Sequence, residues 1–379
     1  MKLPPPIPFR PDDPDLAQRL RGLSASRGIY LLTLTGAKPH LGWSVHLSRR
    51  LSRLLVSSYP GSGAERSGLS EKIVNVLCWP TGSRLESSLL LYELTRQHFS
   101  EDYRKELRLR MPWFVRLKTN DPFPLLETIN RVAQKGVEVY GPFRTRDAAQ
   151  AYQQQVEGVF QIRRCSEALL PHTGHPGCIY GEMNQCMRPC QCAVSGAEYA
   201  SEARRVSEFL ATNGRSSLAA LTAARDRASE QMEFEHASQI QKRIEKLEAA
   251  AKTRDEVVRD AAGFHGVALT NSARPLEFRL WPMVAGRWQE PVVLDFSVER
   301  SGSGSLDSEI RAQLAKIFAE PDADGNALEH LALFSRWYYS SWRDGSWFPF
   351  RTVADLNYRR LVREISKMAE ASRVSARSS

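Results

Sequence analysis

Apolar positions in the first third of the chain form strand-like runs that alternate with helical spacing. The run over 28–34 is β-branched and apolar, and Gly36 marks the turn that follows it. Later leucines recur at helical spacing, which predicts amphipathic helices. The predicted elements are strands over 28–34 and 72–79, a short strand ending at 40–42, a loop over 58–70, and helices over 45–55 and 85–99. Their order predicts a small α/β domain over 25–110, preceded by a Pro-rich lead over 1–24.

The rest of the chain is expected to form three further domains. They are a connector and cysteine-rich module over 111–196, a helical hairpin over 197–255 and a C-terminal α+β domain over 256–379. The hairpin is predicted because apolar residues recur at helical spacing on both sides of a break near 232–234. A turn is expected at 140–143, and a helix follows it. The whole chain is therefore expected to be an α+β multidomain protein.

The composition is that of an ordinary folded protein. Hydrophobic residues make up 42% of the 379 residues and charged residues 25%, which excludes a disordered or fibrous chain. No apolar run reaches the roughly 18 residues that a membrane-spanning helix needs. The first residues hold consecutive prolines and several acids but no apolar core, so no secretory signal peptide is expected. We therefore expect a cytoplasmic protein with no membrane partner.

Positive charge is concentrated at the N-terminal end. The chain carries 52 Lys and Arg against 43 Asp and Glu, a net charge of +9. Residues 1–120 hold 19 basic and 10 acidic residues and so carry the whole excess, while the remainder holds 33 of each sign. A chain with a basic N-terminal third and a neutral remainder favours a polyanionic partner, most simply nucleic acid.

Five of the six cysteines lie within 28 positions, between 165 and 192. In a chain without an export signal, such a cluster indicates metal binding before disulfides. Four thiolates on an irregular loop suit either zinc or an iron–sulfur cluster, and the spacing leaves both open. The candidate ligands are Cys165, Cys178, Cys186 and Cys190. Cys192 is a surplus thiol, and Cys78, in an apolar run, is expected to be a core residue.

Three segments, in this order, resemble the UvrC family of excinucleases, the dual-incision nucleases of bacterial nucleotide excision repair. Gly28–Tyr30 followed by His40–Gly42 resembles the GIY-YIG nuclease motif. The cysteine cluster follows Tyr140–Phe143 and Phe160–Cys165, which are similar to two phrases of the family, YFGPF and F-x-I-R-x-C. Met232–Ala237 and the apolar residues after it resemble the UVR motif. The layout is most similar to the short, Cho-type members, which have one nuclease domain.

The resemblance implies a cofactor and two partners. It implies a [4Fe-4S] cluster on the four candidate cysteine ligands, with zinc as the alternative. It also implies that the UVR hairpin pairs with a UvrB-like helicase, for which the candidate residues are Phe234, Ile240 and Ile244. The basic N-terminal domain is expected to bind double-stranded DNA. Its candidate contacts lie on the first nuclease helix and are Arg49, Arg50 and Arg53.

The catalytic positions of the nuclease domain depart from the family pattern. The family hydrolyses phosphodiesters with one divalent metal held by a Glu, and a Tyr of the second motif and an Arg assist the reaction. The Tyr of the first motif is kept as Tyr30, and the Arg falls on Arg50. The second-motif Tyr is His40, a Lys is replaced by Trp43, and the metal-binding Glu falls on Leu91. Hydrolysis is therefore expected to be lost or altered. The alternative is an active endonuclease that nicks DNA near lesions with Mg²⁺ or Mn²⁺.

The two carboxylates nearest to Leu91 on this predicted helix do not share its helix face, so neither is an obvious substitute for the missing metal-binding Glu. Glu93 lies about 200° further round the helix axis than Leu91, and Glu86 is offset by about 140° in the other sense. The segment 256–379 is too short for the second, RNase H-like nuclease domain of the family together with its helix-hairpin-helix module. A third class, a zinc-stabilised RNA-binding protein, shares the basic N-terminus and stays open.

Overall fold

The structure, a computed structural model, describes residues 3–23, 27–56, 72–131, 137–297, 305–323 and 326–377. The predicted loop over 58–70 lies outside these residues. The chain divides into two compact units: unit 1 comprises Met1–Arg110 and His265–Ser379, and unit 2 comprises Met111–Phe264. The first and last thirds of the sequence, which are expected from the sequence to be separate domains, therefore share unit 1.

Unit 1 begins with a four-stranded antiparallel sheet in the order β1-β4-β2-β3. Its strands are β1 (Ile7–Phe9), β2 (Arg27–Leu34), β3 (His40–Ser44) and β4 (Ile73–Thr81). Its helices are α1 (Leu16–Gly22), α2 (Leu47–Leu55), α3 (Arg84–His98) and α4 (Tyr103–Leu107). The predicted strands and helices are confirmed, except that the short strand expected to end at 40–42 begins at His40 and continues to Ser44. The Pro-rich lead adds the edge strand β1, a position where proline is tolerated, and buries Phe9.

The side chains of β2 point alternately into two apolar clusters, one on each face of the N-terminal sheet. Successive residues of a strand point to opposite faces of the sheet. Tyr30 and Leu32 pack with leucines of α1 and α2. Ile29 and Leu31 pack instead with leucines of α3. We call these two sides the α2 face and the α3 face.

Unit 2 contains a four-stranded sheet in the order β6-β5-β7-β8. Its strands are β5 (Trp113–Leu117), β6 (Leu126–Ile129), β7 (Glu138–Phe143) and β8 (Arg259–Asp260). The turn expected at 140–143 is wrong, because these residues lie in β7 and pair with β5. A Cβ on Gly141 would overlap the Phe114 ring, so this glycine serves close packing between strands rather than a turn.

The helices of unit 2 include the predicted hairpin. They are α5 (Arg146–Val159), α6 (Ile179–Glu182), α7 (Gly196–Thr212), α8 (Arg215–Glu230) and α9 (Phe234–Lys252). The hairpin consists of α8 and α9, whereas α7 is a separate helix that the apolar pattern does not distinguish. The break between α7 and α8 falls at Asn213 and Gly214, whose φ angles of 52° and 77° are left-handed. Such residues end a helix because the right-handed hydrogen-bond ladder cannot continue through them.

The C-terminal third gives unit 1 a second sheet, with β12 beside β10 in the order β11-β10-β9-β13. Its strands are β9 (His265–Asn271), β10 (Glu277–Val284), β11 (Arg287–Trp288), β12 (Val292–Asp295) and β13 (Ser346–Phe350). Its helices are α10 (Leu306–Ala319), α11 (Ala327–Tyr338) and α12 (Tyr358–Arg377). The predicted α+β character is confirmed, while β13 and α12 are not among the predicted elements. Apolar residues of α10 and α12 pack with β9, β10 and β13 in one core.

Candidate functional site

Three predicted catalytic residues meet on the α2 face of the N-terminal sheet. Tyr30 and His40 lie on β2 and β3, and their ring centroids are 6.1 Å apart. Arg50, on α2, donates a hydrogen bond from Nε to the Tyr30 hydroxyl oxygen at 3.3 Å. Gly42 lies opposite Tyr30 in the strand pair, and a Cβ there would overlap the Tyr30 ring. Gly42 therefore leaves space for the Tyr30 ring. We call Tyr30, His40 and Arg50, which lie together on the α2 face, the trio.

The other two predicted DNA contacts lie on the outer side of α2. Arg49 and Arg53 are exposed, while Leu47 and Leu51 are buried beneath them. Residues four positions apart share one face of a helix. The two guanidinium groups thus form a basic strip on the surface, whereas Arg50 turns towards Tyr30.

The positions that match the family's Lys and Glu lie on the opposite, α3 face. Trp43 on β3 and Leu91 on α3 line a cavity of about 180 Å³ in unit 1. The lining also contains three arginines, a second tryptophan, two serines and five further aliphatic side chains. Among the described residues that line it, none carries a carboxylate. Tyr30, His40 and Arg50 are not part of this lining, so the structure does not bring all the predicted catalytic positions together.

The two carboxylates near Leu91 in sequence are engaged elsewhere. Glu93 forms an ion pair with Arg96 at 3.5 Å. Glu86 is buried, forms an ion pair with Arg279 of β10 at 2.6 Å and accepts a backbone hydrogen bond at 2.8 Å. Burial raises the pKa of Glu86, and the neighbouring Arg279 opposes that rise. Both side chains are therefore committed to contacts within unit 1 and do not replace a carboxylate at Leu91.

Sequence reasoning missed a buried carboxylate from the C-terminal third. Glu329 of α11 is 1% exposed and accepts hydrogen bonds from the Tyr92 hydroxyl at 2.6 Å, the Tyr103 hydroxyl at 2.9 Å and Arg104 Nε at 2.6 Å. Burial raises the pKa of Glu329, but these hydrogen bonds outweigh it and the pKa lies below its usual range. The only signal in the sequence is a charged residue inside the apolar run of α11. This cluster joins α3 and α4 to α11.

The neighbouring His330 is a buried neutral histidine. It is 4% exposed, and its Nδ1 accepts a hydrogen bond from the backbone N–H of Trp288 at 3.0 Å. Burial, helped by Arg96, lowers its pKa to about 4. Its ring stands edge-on to Tyr92 with centroids 5.4 Å apart. The imidazole therefore serves as a hydrogen-bond acceptor at neutral pH.

The four candidate cysteine ligands are close enough in unit 2 to influence one another. Burial raises the pKa of the Cys186 thiol, and so do the neighbouring Cys165, Cys178 and Cys190. A backbone hydrogen bond from Arg188 opposes this rise. All six cysteines are free thiols. Within the described ranges, no group of three or more His, Cys, Asp or Glu side chains is arranged to hold a metal ion. The structure thus provides soft donor chemistry without a formed coordination site.

The remaining two cysteines are apart from this group. Cys192 is exposed and does not number among the thiols that shift the pKa of Cys186 or Cys190. Cys78 is buried in the core of the N-terminal sheet, where burial raises its pKa to about 12. The expectation that Cys78 is a core residue is confirmed.

A buried arginine fixes the segment that carries Cys165. Arg163 is 3% exposed and donates to the carbonyl of Phe123 at 2.8 Å and to the carboxylate of Asp121 at 3.1 Å. Its backbone N–H donates to the Tyr199 hydroxyl at 2.8 Å. These bonds attach the start of the cysteine-rich segment to the β5–β6 connection and to α7. The F-x-I-R-x-C phrase thus combines a ligand candidate with its anchor.

The predicted partner-binding residues of the hairpin divide into two groups. Ile240 and Ile244 are buried in a small core shared with α8. Phe234 is 66% exposed at the start of α9, and Met232 beside it is 77% exposed with a left-handed φ of 60°. In this conformation only Phe234 of the three presents a surface to a partner.

Part of unit 2 is similar to a known protein family. Residues 112–209 match the family model of the UvrC/Cho excinuclease middle domain. This match lies within unit 2 and includes all four candidate ligands. The resemblance to the UvrC family is therefore confirmed.

Several relatives are each described as UvrABC system protein C. The protein of Limosilactobacillus fermentum is 28% identical over 257 residues, which cover 66% of this chain and 41% of the relative. That of Anaeromyxobacter dehalogenans is 27% identical over 290 residues, covering 73% and 40%. That of Lacticaseibacillus paracasei is 24% identical over 328 residues, covering 80% and 53%. The chain thus spans about two fifths to one half of the length of these relatives.

No solved structure matches this chain. Within the described ranges, no helix combines the length and the apolar character needed to cross a membrane.

Proposed function

We propose that this chain is a DNA-repair protein of the UvrC type in which phosphodiester hydrolysis is lost. The observation that carries the proposal is the cavity around Leu91 and Trp43. A catalytic Mg²⁺ or Mn²⁺ needs oxygen ligands, usually including a carboxylate. The described lining instead provides three guanidinium groups and no carboxylate. Positive charge there opposes a divalent cation and favours an anion.

Binding of double-stranded DNA is the second part of the proposal. It is supported by the basic N-terminal third and by the exposed strip of Arg49 and Arg53. Arginines on one helix face can contact successive phosphates without reading base sequence. Arg50, held by Tyr30, would contribute a positioned charge beside this strip.

A [4Fe-4S] cluster on Cys165, Cys178, Cys186 and Cys190 is the proposed cofactor, with zinc as the alternative. Support comes from the nearness of the four thiols, two of which are buried, and from the backbone hydrogen bond to the Cys186 sulfur. Hydrogen bonds to sulfur are among the features that tune such clusters. A bound cluster would supply a structural cross-link for a segment that contains few regular elements. Arg163 would position the first ligand.

A UvrB-like helicase is the proposed protein partner, and the hairpin of α8 and α9 is its binding element. The exposed Phe234 and Met232 at the hairpin turn support this role, because solvent-exposed large apolar side chains are suited to a partner surface. Ile240 and Ile244 would act through the hairpin core that holds these two residues in place.

The runner-up is an active single-domain endonuclease. The observation that favours it is the trio of Tyr30, His40 and Arg50, which is assembled on the α2 face. An imidazole such as that of His40 can act as a general base. This function requires metal ligands on the α2 face in place of a carboxylate at Leu91.

A nicking assay separates the two functions. The substrate is lesion-bearing duplex DNA, incubated with metal-loaded protein and Mg²⁺ or Mn²⁺, with and without a damage-loaded UvrB helicase. We expect DNA binding without cleavage. Cleavage that disappears in Arg50→Ala, while DNA binding persists, would establish the runner-up. The matched control Arg21→Ala removes an exposed arginine of α1 and leaves the trio intact.

A further inference from the structure

The cavity on the α3 face has the chemistry of a nucleotide site. We propose that it takes one unpaired nucleotide of a DNA strand, with the base beside Trp43 and the 5′-phosphate at Arg336. This inference deepens the proposed DNA-binding function and rests on it. It concerns recognition of an extrahelical base and requires no hydrolysis.

The shape and lining of the cavity fit a single planar ring system. Its volume of about 180 Å³ is below the roughly 300–1,000 Å³ of pockets that enclose a whole drug-sized ligand. Six of the lining side chains are aliphatic, among them Ile29, Leu91 and Leu333. Trp43 lines this cavity and is 55% exposed, so part of its indole is accessible to a stacking ring. An unpaired base is the planar group that nucleic acids offer to such a surface.

The charges around the cavity fit a phosphate. Arg27 is held by Asp344 at 2.6 Å, and the Arg84 guanidinium lies 4.7 Å from the centre of the Trp342 ring. These two arginines are therefore already engaged. Arg336 lines the cavity and is exposed, and within the described residues it has no hydrogen-bonding or ionic partner. It is the guanidinium that can give a new charge-assisted hydrogen bond to an anion.

The test uses the fluorescent base 2-aminopurine in a short duplex, bound by the full chain. In one duplex the base is a single unpaired bulge, and in the matched duplex it is paired. We expect the bulged duplex to bind about tenfold more tightly, with a fall in 2-aminopurine emission as the base stacks. The paired duplex should show neither effect.

Three variants locate the effect in the cavity. Trp43→Ala removes the stacking face, and Ser88→Leu fills the space from α3; both should abolish the preference for the bulge and leave the affinity for the paired duplex unchanged. Arg336→Gln should weaken bulge binding several-fold and reduce its salt slope by about one. The control is Arg363→Gln, which changes an exposed arginine of α12 outside both the cavity and the basic N-terminal third and should behave as wild type.

The outcomes separate this inference from the function on which it rests. Equal binding of both duplexes, with no change in emission, would overturn the nucleotide site and leave DNA binding intact. Binding of neither duplex would overturn both. The last measurement is the binding of free 2-aminopurine deoxynucleoside 5′-monophosphate to the full chain. If it binds at the cavity while the bulged strand shows no preference, the assignment to a DNA strand is wrong.

Discussion

Units 1 and 2 differ in how many of the residues implied by the family resemblance they contain. In unit 2 all four expected thiol ligands are present and close together. In unit 1 Tyr30 and Arg50 match, but the metal-binding Glu is Leu91. The sheet and helices that carry these positions are nevertheless formed. Apolar burial stabilises such a sheet and is compatible with a leucine where the family has a Glu, whereas a metal–thiolate module depends on each ligand.

The largest expected effect is removal of a single thiol from unit 2. Cys186→Ser should abolish the visible absorption of a bound cluster and lower the midpoint of thermal unfolding by roughly 10 °C or more, because metal binding and folding of such segments are coupled. Iron and zinc content, absorption spectra and calorimetry measure this. Cys192→Ser is the matched control. If Cys186→Ser kept its metal and its melting temperature while Cys192→Ser lost both, the ligand set would have to be redrawn.

The polar cluster of Glu329, Tyr92, Tyr103 and Arg104 in unit 1 should contribute strongly to stability. Glu329→Ala leaves the buried Tyr92 hydroxyl without an acceptor and removes the charge that holds Arg104, so it should cost about 3–5 kcal/mol. Tyr92→Phe leaves the carboxylate with its other donors and should cost about 1–2 kcal/mol. Urea unfolding followed by tryptophan fluorescence gives both values. Glu370→Ala, an exposed site on α12, is the control. A Glu329→Ala loss no greater than that of Glu370→Ala would mean that apolar packing alone joins these helices.

The same cluster should make the stability of unit 1 sensitive to acid. The pKa of His330 is lowered from 6.5 to about 4, so the unfolded chain binds the extra proton between these values. Its contribution is fully present above pH 6.5 and is lost as the pH falls towards 4, a change of about 3 kcal/mol. Glu329, whose pKa is lowered, adds a loss of the same sign below about pH 4.5. His330→Asn keeps an acceptor for the Trp288 N–H but cannot titrate. An unfolding free energy that falls equally in wild type and His330→Asn from pH 6.5 to 5 would rule out this histidine as the cause.

The contrast between the units also explains what the sequence can predict. Helices and strands with a clear apolar period, such as 28–34 or the hairpin of α8 and α9, are confirmed because local periodicity determines them. The cysteine-rich segment is visible in the spacing of its thiols, whereas its metal and its ligand set stay predictions. Glu329 cannot be found in this way, because its partners Tyr92 and Tyr103 lie more than 220 positions away in the chain. The turn predicted within β7 is wrong because Gly and Pro are typical of turns, whereas the role of Gly141 is to accommodate Phe114.

The smallest expected effect concerns the basic strip on α2. Arg49→Gln and Arg53→Gln together should leave stability within about 0.5 kcal/mol, since both side chains are exposed. They should lower the salt dependence of DNA binding by about two units, one for each lost phosphate contact. Affinity measured between 50 and 200 mM salt, roughly the range over which counterion release is resolved, gives this slope. Arg21→Gln, on α1, is the matched control.

This last measurement decides which unit carries the DNA contact. If the slope falls by two, unit 1 binds the DNA backbone through the basic strip of α2. This contact would not depend on a carboxylate at Leu91, because phosphate binding requires only accessible positive charge and no strict coordination geometry. If the slope is unchanged although the DNA is still bound, the contact must lie elsewhere in the chain. Arg49 and Arg53 would then be surface charges without a DNA role.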